Sequence, residues 1–363
     1  MAAKFILIGG FLGAGKSTTV ARLAEHFTAA GKRVVVVTND QTSDLVDTHS
    51  LRNQGFDVGE VAGACFCCSF NELTDVVEQL SAEKRPDVIL AEPVGSCTDL
   101  VATVIRPLEN VYSEPLEIAP YGVLLKPSHG MRILSGQQGG FSPKAEYIFR
   151  KQIEEADFVT INRIDQLDES EVAKLEQLIA SEFPGRPVVR MSAKTGDGFS
   201  AFVEFLGQTG QFGTRVMDVD YDVYADGEAE LGWLNGQVHL IANEPFSLDE
   251  VLQSIVAKLQ EKLVAEESEI AHLKAIGMWD GNYAVANAVS NFTDPELSLA
   301  SDCHTPQADL VVNARVAASP ERLEQLVREQ LRSEAQRLNA TLDISTMQSF
   351  RPGRPEPTHR IQG

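Results

Sequence analysis

The stretch that decides the fold is GFLGAGKS at residues 10–17, which fits the pattern G-x-x-x-x-G-K-[ST]. An apolar run at residues 4–8 precedes it and predicts a buried strand, and a helical pattern over residues 16–30 follows it. Glycines at such a strand-to-helix turn let backbone N–H groups surround a phosphate, and the helix N-terminus adds a positive partial charge. The sequence therefore predicts a site for the phosphates of a nucleotide.

The residues of this loop have separate expected roles. Lys16 is expected to reach the β- and γ-phosphates and to act in catalysis, and the hydroxyl of Ser17 is expected to bind Mg²⁺. Thr18 lies where it can meet the α-phosphate. The nucleotide-binding set predicted from the loop consists of Gly10, Gly13, Ala14, Gly15, Lys16, Ser17 and Thr18.

Short apolar runs alternate with helical stretches up to about residue 215. The predicted strands cover residues 4–8, 33–38, 57–61, 87–91, 158–161 and 187–191. This alternation predicts an α/β fold, a P-loop parallel sheet with helices on both faces. Residues 96–143 contain Pro, Gly and Gln clusters, and we interpret them as an insertion around one strand at 121–125 with a candidate mobile loop at 126–140.

The pattern changes after residue 215. Strand and helix periodicities then follow in the order βαββαβ, which predicts a smaller α+β ferredoxin-like domain over residues 216–350. Residues 351–363 are rich in Pro and Arg and predict a flexible tail.

A second motif points to the guanine base. Asn162, Arg163 and Asp165 follow a predicted strand and resemble the N-K-x-D motif of GTPases, with Arg163 in place of Lys. A carboxylate at Asp165 can accept hydrogen bonds from both guanine N1–H and the exocyclic amine, and adenine has no such donor pair. The next predicted strand is followed by a stretch that resembles the S-A-K base loop of GTPases, namely Ser192, Ala193 and Lys194.

Two further segments are candidates for parts that respond to the nucleotide. Glu92 ends a predicted strand and can hold Mg²⁺ directly or through water, and the backbone N–H of Gly95 can meet a γ-phosphate. Asn39, Asp40 and Asp47 follow the second predicted strand, and we include Asp40 among the candidate catalytic residues. Ordinary turn and cap roles are the alternative for these three residues.

A cysteine cluster indicates a metal site. Cys65, Cys67 and Cys68 offer three soft ligands within four residues, which suits Zn²⁺ together with a fourth ligand. Buried structural thiols and a redox pair are the alternatives. Cys97 is a candidate fourth ligand in one nucleotide state, with a buried structural role as the alternative. Cys303 and His304 form another soft pair, but two ligands alone are weak evidence.

Composition excludes several classes of protein. The 363 residues carry a net charge of -21, and a phosphate backbone requires a basic face, so nucleic acid is not an expected partner. No apolar run approaches the length of a membrane span, and the five cysteines do not suggest a secreted disulfide framework. We therefore expect a cytoplasmic protein that does not bind a membrane.

Taken in this order, the motifs resemble the CobW-like GTPases, relatives of the urease and hydrogenase nickel-insertion GTPases. The resemblance covers about the first 215 residues and rests on residues 10–17, 65–68, 92–95 and 162–165. It implies GTP and Mg²⁺ as ligands, slow GTP hydrolysis, and delivery of Zn²⁺ or Co²⁺ from the C-x-C-C site to a client metalloenzyme or cobalamin-related protein. A homodimer is one option for the assembly.

The chain also departs from the pattern of that family. Ala64 stands where a Gly usually precedes the first cysteine of the motif, Pro93 and Val94 follow Glu92, and no His-rich tract is present. These departures leave the client open. Three alternatives remain: a chaperone of a cobalamin-dependent enzyme whose cysteines are structural, a zinc or thiol sensor that does not hydrolyse GTP, and an ATPase.

Overall fold

The computed structural model describes residues 2–40, 48, 51–52, 54–136 and 141–362, and of Asp40 it describes only the backbone. The chain divides into two compact units, one comprising Met1–Ala225 with Arg354–Gly363 and the other comprising Asp226–Gly353. The sequence places the boundary earlier, at residue 215, and predicts a separate flexible tail. The structure instead groups Arg354–Gly363 with the first unit, where its backbone amides and arginines have hydrogen-bond partners.

An eight-stranded parallel sheet lies at the centre of the first unit. Seven strands run in the order β3-β2-β4-β1-β6-β7-β8, and β5 pairs with the beginning of β1. This arrangement confirms the predicted α/β fold. The strands are β1 (Ala3–Gly10), β2 (Val34–Asp40), β3 (Asp57–Ala62), β4 (Val88–Glu92), β5 (Leu116–Ile118), β6 (Gly122–Leu125), β7 (Phe158–Ile161) and β8 (Val188–Arg190).

The central strands are apolar because both faces of the sheet are covered. Ile6 and Ile8 pack in a cluster with apolar side chains from residues 20–24 and 202–206, and both are fully buried. Phe5 and Leu7 point to the opposite face, since strand side chains alternate, and they are just as inaccessible. The position of β1 between β4 and β6 makes its carboxyl end the point where the strand order reverses, which is where such sheets bind ligands.

Helices connect the strands of the first unit. Asp168 begins one of them with a capping box, in which its carboxylate accepts from the Glu171 amide and the Glu171 side chain accepts from the Asp168 amide. The helices are α1 (Lys16–Ala29), α2 (Phe70–Lys84), α3 (Arg106–Asn110), α4 (Pro127–Leu134), α5 (Pro143–Glu155), α6 (Glu169–Glu182), α7 (Phe199–Leu206) and α8 (Tyr221–Ala229).

Residues 96–143 are more regular than the sequence predicts. A π-helical turn at Val101–Ile105 leads directly into α3, and β6 lies inside the sheet between β1 and β7. The candidate mobile loop at 126–140 begins with α4, and its residues 137–140 lie outside the described part of the chain. The apolar side chains of residues 100–105 are buried, and this burial favours the helix over an irregular insertion.

The second unit is an antiparallel sheet with two long helices, α9 (Leu248–Ala265) and α10 (Pro320–Arg337). The strand order is β12-β11-β10-β13-β9-β14, and β14-β9-β13-β10 within it reproduces the predicted ferredoxin-like pairing. The edge strand β12, which pairs with β11, is absent from the sequence prediction. The strands are β9 (Gly232–Ser247), β10 (Ile270–Trp279), β11 (Asn282–Ala288), β12 (Glu296–Leu299), β13 (His304–Val316) and β14 (Ala340–Phe350).

The length and apolarity of the helices can be compared with what a membrane span requires. Within the described ranges, no helix combines the length and apolarity that crossing a bilayer requires.

The core of the second unit provides a test of its stability. Ile255→Ala removes a fully buried side chain of α9, so we expect the free energy of unfolding to fall by about 2–5 kcal/mol. Urea unfolding followed by tryptophan fluorescence measures this unit selectively, because both tryptophans, Trp233 and Trp279, lie within it. Glu261→Ala at an exposed position of the same helix is the control and should change the value by less than about 0.5 kcal/mol.

Candidate functional site

The predicted phosphate loop joins β1 to α1 with the geometry that the motif requires. Gly10, Gly13 and Gly15 have positive φ angles of 135°, 74° and 91°. A Cβ atom at Gly10 would lie 2.5 Å from the carbonyl oxygen of Leu124, so only glycine fits. The Lys16 ammonium donates to the Gly10 carbonyl at 2.9 Å, which holds it above the loop where a phosphate would lie.

Ser17 and Glu92 meet beside this loop. The Ser17 hydroxyl donates to Glu92 Oε1 at 2.8 Å, and Glu92 is buried at the end of β4. A hydroxyl and a carboxylate are hard oxygen donors of the kind that Mg²⁺ prefers, so the donor set fits that ion. Thr18 follows on the first turn of α1, where its side chain is exposed.

Gly95 lies directly against the phosphate loop. A Cβ atom there would meet Leu12 Cδ2 at 2.6 Å and Lys16 Nζ at 3.0 Å. The buried side chain of Gln152 on α5 donates to the carbonyl oxygens of Gly95 and Cys97 at 3.0 and 2.8 Å. These bonds hold the turn after β4 close to the lysine that would contact a γ-phosphate. The sequence gives no signal for this role of Gln152.

Asn162 connects the phosphate loop to the candidate base loop. Its Nδ2 donates to the Ala14 carbonyl at 2.8 Å, and its Oδ1 accepts from the Ala193 amide at 2.9 Å. Arg22 of α1 also supports this loop, donating to the carbonyl oxygens of Ala193 and Lys194 at 2.6 and 2.8 Å. The predicted role of Asn162 is base binding, and the observed hydrogen bonds position the two loops that would surround the base.

The other candidate base residues lie around this connection. Arg163 has a left-handed backbone with φ 60°, and Asp165 is exposed in a short 3₁₀ turn, Ile164–Gln166. The Ile164 amide donates to the Met191 carbonyl at 3.3 Å, which keeps this turn beside the S-A-K segment. Ser192 is buried, with its hydroxyl accepting from the Thr195 amide at 3.1 Å.

The three predicted metal ligands converge at one point. The sulfur atoms of Cys65 and Cys67 lie 2.8 Å apart, those of Cys65 and Cys68 3.2 Å, and those of Cys67 and Cys68 3.7 Å. A tight turn makes this possible, since the amides of Cys68 and Ser69 both donate to the Cys65 carbonyl. Among the described residues, these three cysteines form a group whose ligand atoms are close enough together to hold one metal ion.

The three thiols of this cluster differ in the direction in which their pKa values shift. Hydrogen bonds with the thiols of Cys67, Cys68 and Cys97 lower the pKa of Cys65 well below its usual range. The bond to Cys65 raises the pKa of Cys68 to about 11, and the same interaction raises the pKa of Cys67. Of the three thiols, Cys65 is therefore the one that loses its proton most readily.

Cys97 belongs to this arrangement, whereas the second soft pair does not. Cys97 is buried, and its thiol forms a hydrogen bond with Cys65 although the two residues are far apart in the chain. Cys303 is partly buried against the core of the second unit, and His304 is exposed at the start of β13. Those two residues form no larger ligand group within the described chain.

Asn39 shapes the cysteine loop. Its Nδ2 donates to the carbonyl oxygens of Val61 and Ala64 at 2.9 and 2.7 Å, and its Oδ1 accepts from the Phe66 amide at 2.8 Å. The sequence placed Asn39 in a segment that responds to the nucleotide, with a turn or cap role as the alternative, and gave no signal for its contacts with the cysteine loop. The candidate catalytic side chain of Asp40 and all of Asp47 lie outside the described residues.

Comparison with known proteins agrees with these features. The family model described as CobW/HypB/UreG, nucleotide-binding domain, matches residues 4–190. The chain is 26% identical over 228 residues to a zinc chaperone CobW from Sinorhizobium sp, covering 55% of this chain and 62% of that protein. It is 29% identical over 163 residues to the zinc chaperone YeiR of Escherichia coli strain K12, covering 44% of this chain and 46% of that protein. The chain thus spans about half of the length of these curated relatives.

Solved structures are also similar to this chain. HypB from Helicobacter pylori, in complex with nickel, is 19% identical with a TM-score of 0.42, covering 58% of this chain and 92% of that one. Zn(II)-bound YjiA GTPase from E. coli is 14% identical with a TM-score of 0.39, covering 91% of this chain and 99% of that one.

The contacts of Asn39 lead to a test of the cysteine loop. Asn39→Ala removes three hydrogen bonds from buried backbone groups, so the loop should lose its shape and Zn²⁺ affinity should fall by about tenfold or more. Competition with a chromophoric chelator measures this affinity. Asn71→Ala, at an exposed position on the first turn of α2, is the control and should leave it within about twofold. Equal affinities for the two variants would contradict the role of Asn39.

Proposed function

Because the chain belongs to the CobW/HypB/UreG family of nucleotide-binding proteins through residues 4–190, we propose that it is a slow GTPase and a metallochaperone of the zinc or cobalt class. GTP is its substrate, and a metal ion held by Cys65, Cys67 and Cys68 is its cargo. The observation that carries the proposal is the convergence of these three sulfur atoms within 3.7 Å of one another. Two relatives of the chain are described as zinc chaperones, which favours zinc as the cargo.

The residues around the phosphate loop divide the work of hydrolysis. Lys16 turns from the Gly10 carbonyl toward the β- and γ-phosphates, and the Gly95 amide donates to the γ-phosphate. Ser17 and Glu92 would hold Mg²⁺, which neutralises the charge that develops on the phosphates. Asp40, whose side chain lies outside the described part of the chain, is proposed as a further catalytic residue. No arginine finger is evident in the sequence, so turnover is slow until a second copy or a client binds.

Guanine is selected by Asp165. Its exposed carboxylate accepts from the two donors on the edge of guanine, while the alkyl stems of Arg163 and Lys194 lie against the base. Ser192 and Ala193 complete the base loop. Support comes from the Asn162 side chain, which joins this loop to the phosphate loop and so sets the distance between the two ends of the nucleotide.

The metal site requires a rearrangement of the cysteines. Tetrahedral Zn²⁺ with sulfur at about 2.3 Å separates its ligands by roughly 3.8 Å, so Cys65 moves away from its two neighbours when the ion binds. Cys97 supplies the fourth thiolate. Its existing hydrogen bond to Cys65 supports this assignment, because the side chain already points toward the cluster.

Cys97 also links the cargo to the nucleotide. It lies five residues after Glu92 and two after Gly95, on the turn that Gln152 holds. A γ-phosphate that draws Gly95 inward therefore moves Cys97 relative to the other three thiols, and hydrolysis reverses this movement. The released ion passes to a client metalloenzyme or cobalamin-related protein in the cytoplasm, with a homodimer as one form of the active assembly.

This coupling can be measured through the metal. Zn²⁺ affinity should differ by about tenfold or more between protein bound to a non-hydrolysable GTP analogue and protein bound to GDP, since only the analogue moves Cys97. Cys67→Ser should lose tight Zn²⁺ binding in both states, and Cys303→Ser is the matched control that should behave as the unchanged protein.

Three results would redirect the proposal. Equal Zn²⁺ affinities in the two nucleotide states would remove the coupling. Weak metal binding by the unchanged protein, with tight GTP-dependent binding to a client, would favour structural cysteines in a cobalamin-enzyme chaperone. Tight zinc binding without hydrolysis, even with a client present, would favour a zinc or thiol sensor.

Base selection has its own test. Asp165→Ala should weaken binding of GDP by about tenfold to a hundredfold and leave ADP binding unchanged, because the carboxylate contacts only guanine. Asp165→Asn should shift preference toward xanthosine diphosphate, since an amide N–H can donate to the carbonyl at C2 of xanthine. Calorimetric titration with GDP, ADP and xanthosine diphosphate measures these affinities. An unaltered preference for GDP over ADP in Asp165→Ala would assign base recognition to other residues.

A further inference from the structure

The C-terminal residues lie across the cysteine loop. The Thr358 amide donates to the Cys67 carbonyl and the Thr358 hydroxyl donates to the Cys68 carbonyl, both at 2.8 Å. The His359 ring packs edge-on against Phe70, the first residue of α2, with 5.2 Å between ring centroids. These contacts place the end of the chain on the loop that presents the three thiols.

The same segment contacts a thiol directly. The Glu356 amide donates to the sulfur of Cys68 at 3.2 Å. Cys68 is only partly buried, whereas Cys65 and Cys67 are 5% and 1% exposed, so a reagent or a metal acceptor reaches the cluster from the side of Cys68. Glu356 therefore lies on the open side of the cluster.

An ion pair between the partly exposed Arg360 and a buried carboxylate holds this segment in place. Arg360 Nε donates to Asp99 Oδ2 at 2.7 Å, and Asp99 is 1% exposed and also accepts from the Tyr221 hydroxyl. Arg360 further donates to the Met217 carbonyl at 2.8 Å. Charge-assisted hydrogen bonds to a buried carboxylate are among the stronger ones in proteins, so this pair should hold the segment well.

We propose that residues 354–361 form a strap that closes the cysteine site and limits access of metal ions, metal acceptors and thiol reagents to it. Opening the site requires the hydrogen bonds of Thr358 and Glu356 to break, and the Arg360–Asp99 ion pair resists this. The role of the strap in controlling release of a metal ion rests on the proposed metallochaperone function. Its closure over the thiols rests only on the observed contacts.

Alkylation of the metal-free, nucleotide-free protein tests the strap. Arg360→Gln loses the ion pair, so the rate at which iodoacetamide modifies Cys68, located by mass spectrometry, should rise by about tenfold or more. Arg354→Ala is the matched control from the same segment. Its partner Asp222 is 84% exposed, so that ion pair contributes little and the rate should stay within about twofold.

A rate within about twofold of the unchanged protein for a folded Arg360→Gln variant would overturn the proposal. If that variant does not fold, Thr358→Pro replaces it, because it removes the amide donor to Cys67 at an exposed position and keeps the Arg360–Asp99 pair. An unaltered rate in Thr358→Pro overturns the proposal equally.

Transfer of Zn²⁺ to a chelator from the loaded protein is the second measurement, and it should accelerate in the same variants. Failure of the unchanged protein to bind either Zn²⁺ or Co²⁺ would refute the metallochaperone function, while the alkylation rates would still decide whether the strap protects the thiols.

Discussion

Parallel pairing of β1, β2, β4 and β7 within one sheet is the constraint on which the site depends. Because parallel strands run in one direction, their carboxyl ends share an edge, and each strand delivers one essential group there. Leu7 pairs with Ala91, and Thr38 with Glu92, which aligns three of these ends. A slip of one residue would turn every side chain to the other face and separate the groups. The groups at this edge are Gly10, Asn39, Glu92 and Asn162.

Side chains that bond to backbone groups shape the loops at this edge. Loops have few regular backbone hydrogen bonds, so their buried amides and carbonyls need other partners. Asn39, Gln152 and Asn162 provide them through carboxamides, and Arg22 provides them through its guanidinium. Loop shape is therefore built into the fold before any ligand arrives, and the ligand does not have to supply the ordering free energy.

The cysteine cluster shows how the same edge can handle a soft ligand. Hydrogen bonds with Cys67, Cys68 and Cys97 lower the pKa of Cys65, whereas the pKa values of Cys67 and Cys68 are raised, so Cys65 is the most acidic of the three ligands. A bound metal ion would replace the thiol protons, which makes binding depend on pH. Cys97 lies on the turn after β4, whose carbonyl oxygens accept from Gln152, and Gly95 of the same turn lies against the phosphate loop.

The sequence alone determined the phosphate loop, the α/β class, the base motifs and the cysteine trio. Each is encoded by local spacing, because a turn, a strand or a ligand cluster needs residues only a few positions apart. Tertiary structure decided that Asn39 shapes the cysteine loop, that Cys97 lies beside Cys65, and that residues 101–110 and 127–134 of the expected insertion are helical. It also decided the place of the last residues. Their Pro and Arg content predicted a flexible tail, yet Arg360 pairs with Asp99, which lies far away in the chain. Local composition carries no signal for such a contact, because a buried partner exists only once the chain has folded.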